Sequence, residues 1–288
     1  MKHFLIYTNQ HKDKELKTTN HIRNYLEGRG QKVSVKLNTA DWKDKTQNAA
    51  VEISDIPGDV DCMLVLGGDG TVLKAARETK TLKIPMIGVN LGTLGYMTQI
   101  EPDKLEESLD RLIAGDYEQE DRMMLNGKVI LQSGTIKEGW ALNDIVIARS
   151  GPLQIIKFNI YVNGQFLNDY SGDGVIVTTP TGSTGYNLSA GGPIIEPKAK
   201  LIMLTPICSH TLYQRSIVFS PEDVIEIEIA EGKDGKMQTV EASFDGAHGV
   251  TLSTGDKVRI VKSQESAEFI QLNRVSFLEV LHKKLSED

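Results

Sequence analysis

The chain is short of cysteine, of clustered histidine, of long apolar runs and of net positive charge, and each shortage closes off a class of function. Cys62 and Cys208 are the two cysteines in 288 residues, too few for a disulfide framework. No CxxC pair occurs and the six histidines are scattered, so no zinc-ligand spacing is present. No stretch reaches the ~18 apolar residues of a membrane-spanning helix. The opening MKHFLIYTNQHKDK meets charge after a few apolar residues, too soon for a secretory signal, and the expected setting is reduced and cytoplasmic. Lys plus Arg number 32 against 39 Asp plus Glu, a formal charge of −7, so the basic footprint of a nucleic-acid binder is missing. Neither nucleic acid nor membrane is an expected partner. A bound anion needs local neutralisation, from a metal, a lysine or a helix N-terminus. What remains is an ordinary globular balance, 40% hydrophobic and 25% charged, enough to bury a core.

Hydrophobic patterning divides the chain in two. Up to about residue 120, strand-like runs (HFLIY from His3, VSVKL from Val33, DCMLVL from Asp61, Met86 to Val89) alternate with helical spacing (Lys14 to Gly28, Val72 to Thr79, Leu105 to Ala114). That alternation predicts an open α/β, Rossmann-like layer over residues 1–120. From 121 to 270 the runs are short, regularly spaced and strand-like, with turn pairs such as Asn163-Gly164 and Asp245-Gly246 between them, which predicts an all-β, sandwich-like second domain. The last segment, about Val275 to Leu285, is helical again and is expected to return, within 271–288, to the first domain.

Two segments carry chemistry. Gly67-Gly68-Asp69-Gly70-Thr71 follows a buried strand and opens a helix. Glycines let the backbone approach an anion closely, and the first N–H groups of the helix favour phosphate. Asp69 is the odd member, since a carboxylate beside phosphates repels them unless it binds metal or accepts a proton. An ordinary Gly-Asp-Gly turn is the plainer alternative. The GxxxxGK[ST] and GxGxxG patterns are absent, which argues against P-loop and ordinary dinucleotide-dehydrogenase readings. The second segment, SGDGVIVTTPTGSTGYNLSAGGP from Ser171 to Pro193, offers many backbone N–H groups, the hydroxyls of Thr181, Ser183 and Thr184, and the aromatic face of Tyr186. Such a loop suits a ribose, an adenine and a pyrophosphate.

GGDGT, Asn143-Asp144, GDGVIVTTPTGSTGYNLSAGGPIIEP and TPICSHTL, taken in order, resemble the NAD kinase family. GGDGT alone is shared with lipid kinases and phosphofructokinases; the long third motif is specific to NAD kinases. The resemblance implies transfer of the γ-phosphoryl of ATP, or of a polyphosphate, to the 2′-hydroxyl of the adenosine ribose of NAD. It also implies Mg²⁺ or another divalent metal, and a homodimer or homotetramer. It places a proton acceptor at Asp69, with Gly67, Gly68, Gly70 and Thr71 as the phosphate loop. It assigns the dinucleotide to Asp69, Gly70, Lys74, Tyr96, Asn143, Asp144, Ser171, Asp173, Thr181, Thr184, Gly185, Tyr186, Asn187, Leu188, Ser189, Cys208 and Asp245, and leaves the metal ligands unknown. Asp144 stands where the family has Glu, Gly185 where it has Ala, Ser171 where many members are basic, Cys208 where Ala is usual, and Ser209 and Ser216 where prolines are common. A lipid kinase sharing GGDGT and a non-catalytic dinucleotide sensor are the alternative readings. The first lacks the membrane-facing amphipathic stretch it requires.

Overall fold

The computed structural model describes residues 1–38, 56–92, 95–151, 154–210, 214–272 and 277–286. Thr93 and Leu94, Thr211 and Leu212, and residues 275–276 at the expected start of the last helix lie outside the described residues. The chain divides into two units, residues 1–122 with 266–288, and residues 123–265.

The first unit is built from β1 (His3–Asn9), α1 (Lys17–Gly28), β2 (Lys32–Asn38), β3 (Cys62–Gly67), α2 (Asp69–Thr79), β4 (Met86–Asn90), β5 (Thr98–Ile100) and α3 (Leu105–Ala114). Strands β2, β1, β3 and β4 lie side by side in that order and run parallel, with β5 parallel on β4. All six residues of β3 and all five of β4 are buried, as a parallel sheet covered on both faces requires. Phe4, Ile6, Leu64, Leu66 and Ile87 from the strands pack with Ile22 and Leu26 of α1 and with Leu105, Leu109 and Leu112 of α3. The helical face of α3 follows from the spacing of its leucines, and it stops at Gly115, whose φ of +78 suits a left-handed cap. Truncating a fully buried leucine such as Leu109 costs about 2–5 kcal/mol.

The second unit is carried by β6 (Glu118–Ile130), β7 (Ile136–Ala141), β8 (Asp144–Arg149), β9 (Ile156–Val162), β10 (Gln165–Gly172), β11 (Gly174–Thr178), the short helix α4 (Tyr186–Ser189), β12 (Ile202–Ile207), β13 (Ile217–Phe219), β14 (Ile225–Ile229), β15 (Thr239–Phe244), β16 (Ala247–Ser253) and β17 (Lys257–Gln271). The ends of β6 and β17 cross the division between the units, and α5 (Phe277–Ser286) belongs to the first. One layer orders β10, β9, β14 and β17; the other orders β13, β12, β11, β8, β15 and β16, all antiparallel. Alternation puts Ile225, Ile227 and Ile229 of β14 inward while Glu226 and Glu228 face out. They meet Val175, Val177, Ile145 and Ile147 from the other layer. The β9–β10 and β15–β16 hairpins turn at Asn163-Gly164 and Asp245-Gly246, with φ of +51 and +77, and +50 and +69, the left-handed pair that a two-residue hairpin demands.

The architecture is therefore the expected α/β domain followed by a β-sandwich domain, but individual strands differ from their patterns. β6 and β17, of 13 and 15 residues, are far longer than the short runs expected in this half of the chain. β7 and β10 escape the pattern because half of their residues are exposed and few are buried, so no apolar alternation marks them. β12 contains Pro206, which discourages a strand reading. β13 pairs only with Ile202 to Leu204, so the missing N–H of Pro206 costs no bond on that side.

Candidate active site

In the first unit, β3 delivers Gly67 to Thr71 to the start of α2. The Gly68 carbonyl accepts the Thr71 and Val72 N–H groups at 2.8 and 3.2 Å, so Asp69 is the first residue of the helix. A Cβ on Gly67 would overlap the Thr71 hydroxyl, whereas Gly70 opens onto free space. The Asp69 carboxylate is gripped by main chain: Tyr96 N–H donates to Oδ2 at 2.9 Å and Met97 N–H to Oδ1 at 3.0 Å. Gly95 is required by this grip, because a side chain there would overlap the same carboxylate. Each oxygen still has a lone pair to offer a hydroxyl. Tyr96 thus reaches Asp69 through its backbone. Lys74 is turned elsewhere, its Nζ 2.5 Å from Asn38 Oδ1 and 3.7 Å from Glu78 Oε1.

In the second unit, the Asn143-Asp144 turn is braced by Asp245. Its carboxylate accepts the N–H groups of Leu142, Asn143 and Asp144 at 2.9, 2.8 and 3.1 Å. The Asn143 carbonyl is pinned in turn by Thr179 N–H and the Thr178 hydroxyl at 2.8 and 2.9 Å. The result aims polar atoms that the fold leaves unsatisfied. Asn143 Oδ1 and Thr181 Oγ1 are buried with no hydrogen-bond partner. Asp144 is 6% exposed, and its carboxyl is pushed up to about 7, first by burial and then by the charge of Asp245. A Cβ on Gly185 would stand 3.4 Å from Asn143 Nδ2 and 4.0 Å from Asp144 Oδ2, so the bare backbone of Gly185 clears space beside both.

The rest of the second motif splits between brace and surface. Asn187 is fully buried; its Nδ2 donates to the Ser183 and Pro193 carbonyls and its Oδ1 accepts from the Thr205 hydroxyl. Thr184 and Gly185 are half-buried, while Tyr186, Leu188 and Ser189 are exposed along α4. Asp173 is paired with Arg149, Nε to Oδ1 3.1 Å. The Ser171 carbonyl accepts the His210 N–H at 2.7 Å, and Cys208 is exposed with φ of +45. Among the described residues no group of three or more His, Cys, Asp or Glu side chains could hold a metal ion, and no helix is long and apolar enough to cross a membrane.

Residues 4–117 match the ATP-NAD kinase N-terminal domain and residues 142–272 the ATP-NAD kinase C-terminal domain. The chain belongs to the NAD kinase family. An NAD kinase of Lachnospira eligens is 44% identical over 99% of this chain and 100% of its own length. One of Agathobacter rectalis is also 44% identical, covering 99% of both. Among solved structures, yeast NADH kinase complexed with NADH has the same fold, with a TM-score of 0.83 at 22% identity over 99% of this chain and 88% of that one. An NAD kinase from Archaeoglobus fulgidus in complex with ATP gives 0.76 at 25% identity over 98% and 99%.

Three residues in contact with expected site positions lie outside the sequence motifs. Arg149 is a lone cation at the end of β8 with no local signal. Gly95 was legible in principle, since a glycine in a Gly-rich run flags close backbone approach. Lys12, whose Nζ stands 2.8 Å from an ideal Cβ on Gly68, was invisible because the contact joins two distant loops.

Proposed function

We propose that this NAD kinase holds its dinucleotide at the Asn143-Asp144 turn and the Thr181–Ser189 loop, and that Asp69 is the acceptor of the hydroxyl proton. The observation that carries the dinucleotide assignment is the unsatisfied, buried Asn143 Oδ1, on a side chain that shares the bare backbone of Gly185 with the Asp144 carboxyl, together with a second unsatisfied group in the same motif, Thr181 Oγ1. Buried acceptors cost about 1–3 kcal/mol each when unpaired, and ribose hydroxyls are donors that can satisfy them. Tyr186, 46% exposed, offers a face for the adenine. The phosphoryl group leaves its donor with cleavage of the P–O bond to the bridging oxygen, which keeps the electron pair. A new P–O bond forms to the ribose 2′-oxygen, whose proton passes to Asp69. The transition state is loose, so orientation and neutralisation of charge dominate. Asp69, already fixed by two N–H groups, orients the hydroxyl and takes the proton late. The donor is ATP or a polyphosphate.

Among the described residues no group of three or more His, Cys, Asp or Glu side chains could hold Mg²⁺; a divalent ion bound to the donor phosphates would neutralise their charge. The working form is a cytoplasmic homodimer or homotetramer. Family membership leaves the lipid-kinase and sensor readings without support. Incubation with NAD, ATP and Mg²⁺ followed by assay for NADP is the direct test. D69N should lower turnover by about 10²–10⁴-fold with normal folding. Turnover within about threefold of the parent chain would remove Asp69 from the mechanism.

A further inference from the structure

In the first unit the sheet order β2, β1, β3, β4 reverses direction between β1 and β3. Loops leaving the carboxyl ends of two parallel strands at such a reversal border the crevice in which open α/β sheets take ligands. The loop after β3 is Gly67–Thr71. The loop after β1 is Asn9–Asp13, and the two are tied together: Asn9 Nδ2 donates to the Thr71 hydroxyl at 3.4 Å. Within this pair of loops lies one feature that neither sequence motif contains. The Lys12 ammonium stands 2.8 Å from where a Cβ on Gly68 would be, directly against the bare backbone of the glycine turn.

What makes Lys12 informative is what it lacks. Among the described residues no carboxylate is within ion-pair distance of it. The adjacent Asp13 is committed to α1, accepting Thr18 N–H, Thr19 N–H and the Thr19 hydroxyl at 3.0, 2.8 and 2.6 Å. Asp69, one residue beyond Gly68, is held by Tyr96 and Met97. Lys74, which the resemblance assigns to the dinucleotide, is turned to Asn38 and Glu78. In a chain of formal charge −7, an uncompensated ammonium on a glycine turn is where a polyanion finds its counter-charge.

We infer that Lys12 is a donor-binding catalytic residue, contacting the polyphosphate of the phosphoryl donor at the Gly67–Thr71 loop and neutralising charge as the phosphoryl group departs. The inference rests on the reading of this loop as the donor site, and deepens it by naming a residue outside the recognised motifs. It makes the β1–α1 loop selective for the length and charge of the donor tail and indifferent to the dinucleotide.

The test compares K12A and K12R with the parent chain in steady-state NADP production, varying ATP and NAD separately, with inorganic tripolyphosphate as a competitor. Lys12 is exposed, so both variants should melt with the parent. K12A should lose about 10–100-fold in kcat/KM for ATP, the scale of one charge-assisted contact. KM for NAD should stay within about twofold. Tripolyphosphate should inhibit K12A about tenfold more weakly, and K12R should recover most of both losses because it keeps the charge. A K12A enzyme with kcat/KM for ATP within about twofold of the parent, or one weakened equally toward ATP and NAD, overturns the inference. Failure of the parent chain to make NADP would instead overturn the donor-site reading beneath it.

Discussion

Replacing Asp144 by asparagine should make the protein more stable at alkaline pH and leave it nearly unchanged in acid. Asp144 is buried beside Asp245, whose carboxylate is already held by three backbone N–H groups, and no donor of the turn is left for it. Burial first, then the Asp245 charge, pushes its carboxyl up to about 7. Against an unfolded value of ~3.9 this is about 3 pH units, or ~4 kcal/mol in all. The sign follows from proton counting. Between the two values the folded chain holds a proton that the unfolded chain has released, so stability is full in acid and lost as pH rises through about 7. About 2–3 kcal/mol of the loss falls between about pH 5 and pH 8. D144N keeps the shape of the neutral acid and cannot ionise. Urea unfolding of both ligand-free proteins across that range should therefore show the difference widening by ~2–3 kcal/mol toward high pH, with D144N ahead. A difference that stays flat within ~0.5 kcal/mol refutes the account of Asp144 as an acid held neutral by its surroundings.

G95A places a Cβ on the Asp69 carboxylate, so turnover should fall toward that of Asp69 variants, by about 10²-fold or more. Steady-state kinetics beside a melting curve checks this, and activity within about threefold of the parent contradicts the positioning role of Gly95. N143A removes a buried acceptor that the fold leaves open and should raise KM for NAD by about 5–30-fold, the equivalent of ~1–2 kcal/mol. KM for ATP should be nearly unchanged, and equal shifts in both would detach Asn143 from the dinucleotide.

Much of the fold was legible because burial and turn chemistry are local. The apolar run ending at Gly67 marks a covered parallel strand, and Asn163-Gly164 and Asp245-Gly246 mark hairpins because few residues accept φ above zero. The exposed β7 and β10 were not legible, since strands that bury little leave no alternation. The candidate site is an expectation carried by motifs. Its motifs stand in the chain in order, yet the sequence puts Asp245, Asn187 and Tyr96 among ligand contacts without saying which atoms are spoken for. In the fold, Asp245 and Asn187 give their side-chain oxygens to internal hydrogen bonds, and Tyr96 gives its backbone N–H to Asp69.

The order of residues by itself determined the α/β and sandwich layers, the glycine turn and the family, because each depends on neighbours within a few positions. Tertiary structure alone decided that Asp245 braces a turn 103 residues away, that Gly95 must be bare for Asp69 to be gripped, and that Lys12 meets Gly68. Those pairings arise where neighbouring strands, antiparallel around Asp245 and parallel around Asp69 and Lys12, bring distant stretches together at one end of a sheet, and no local pattern records which loops will meet.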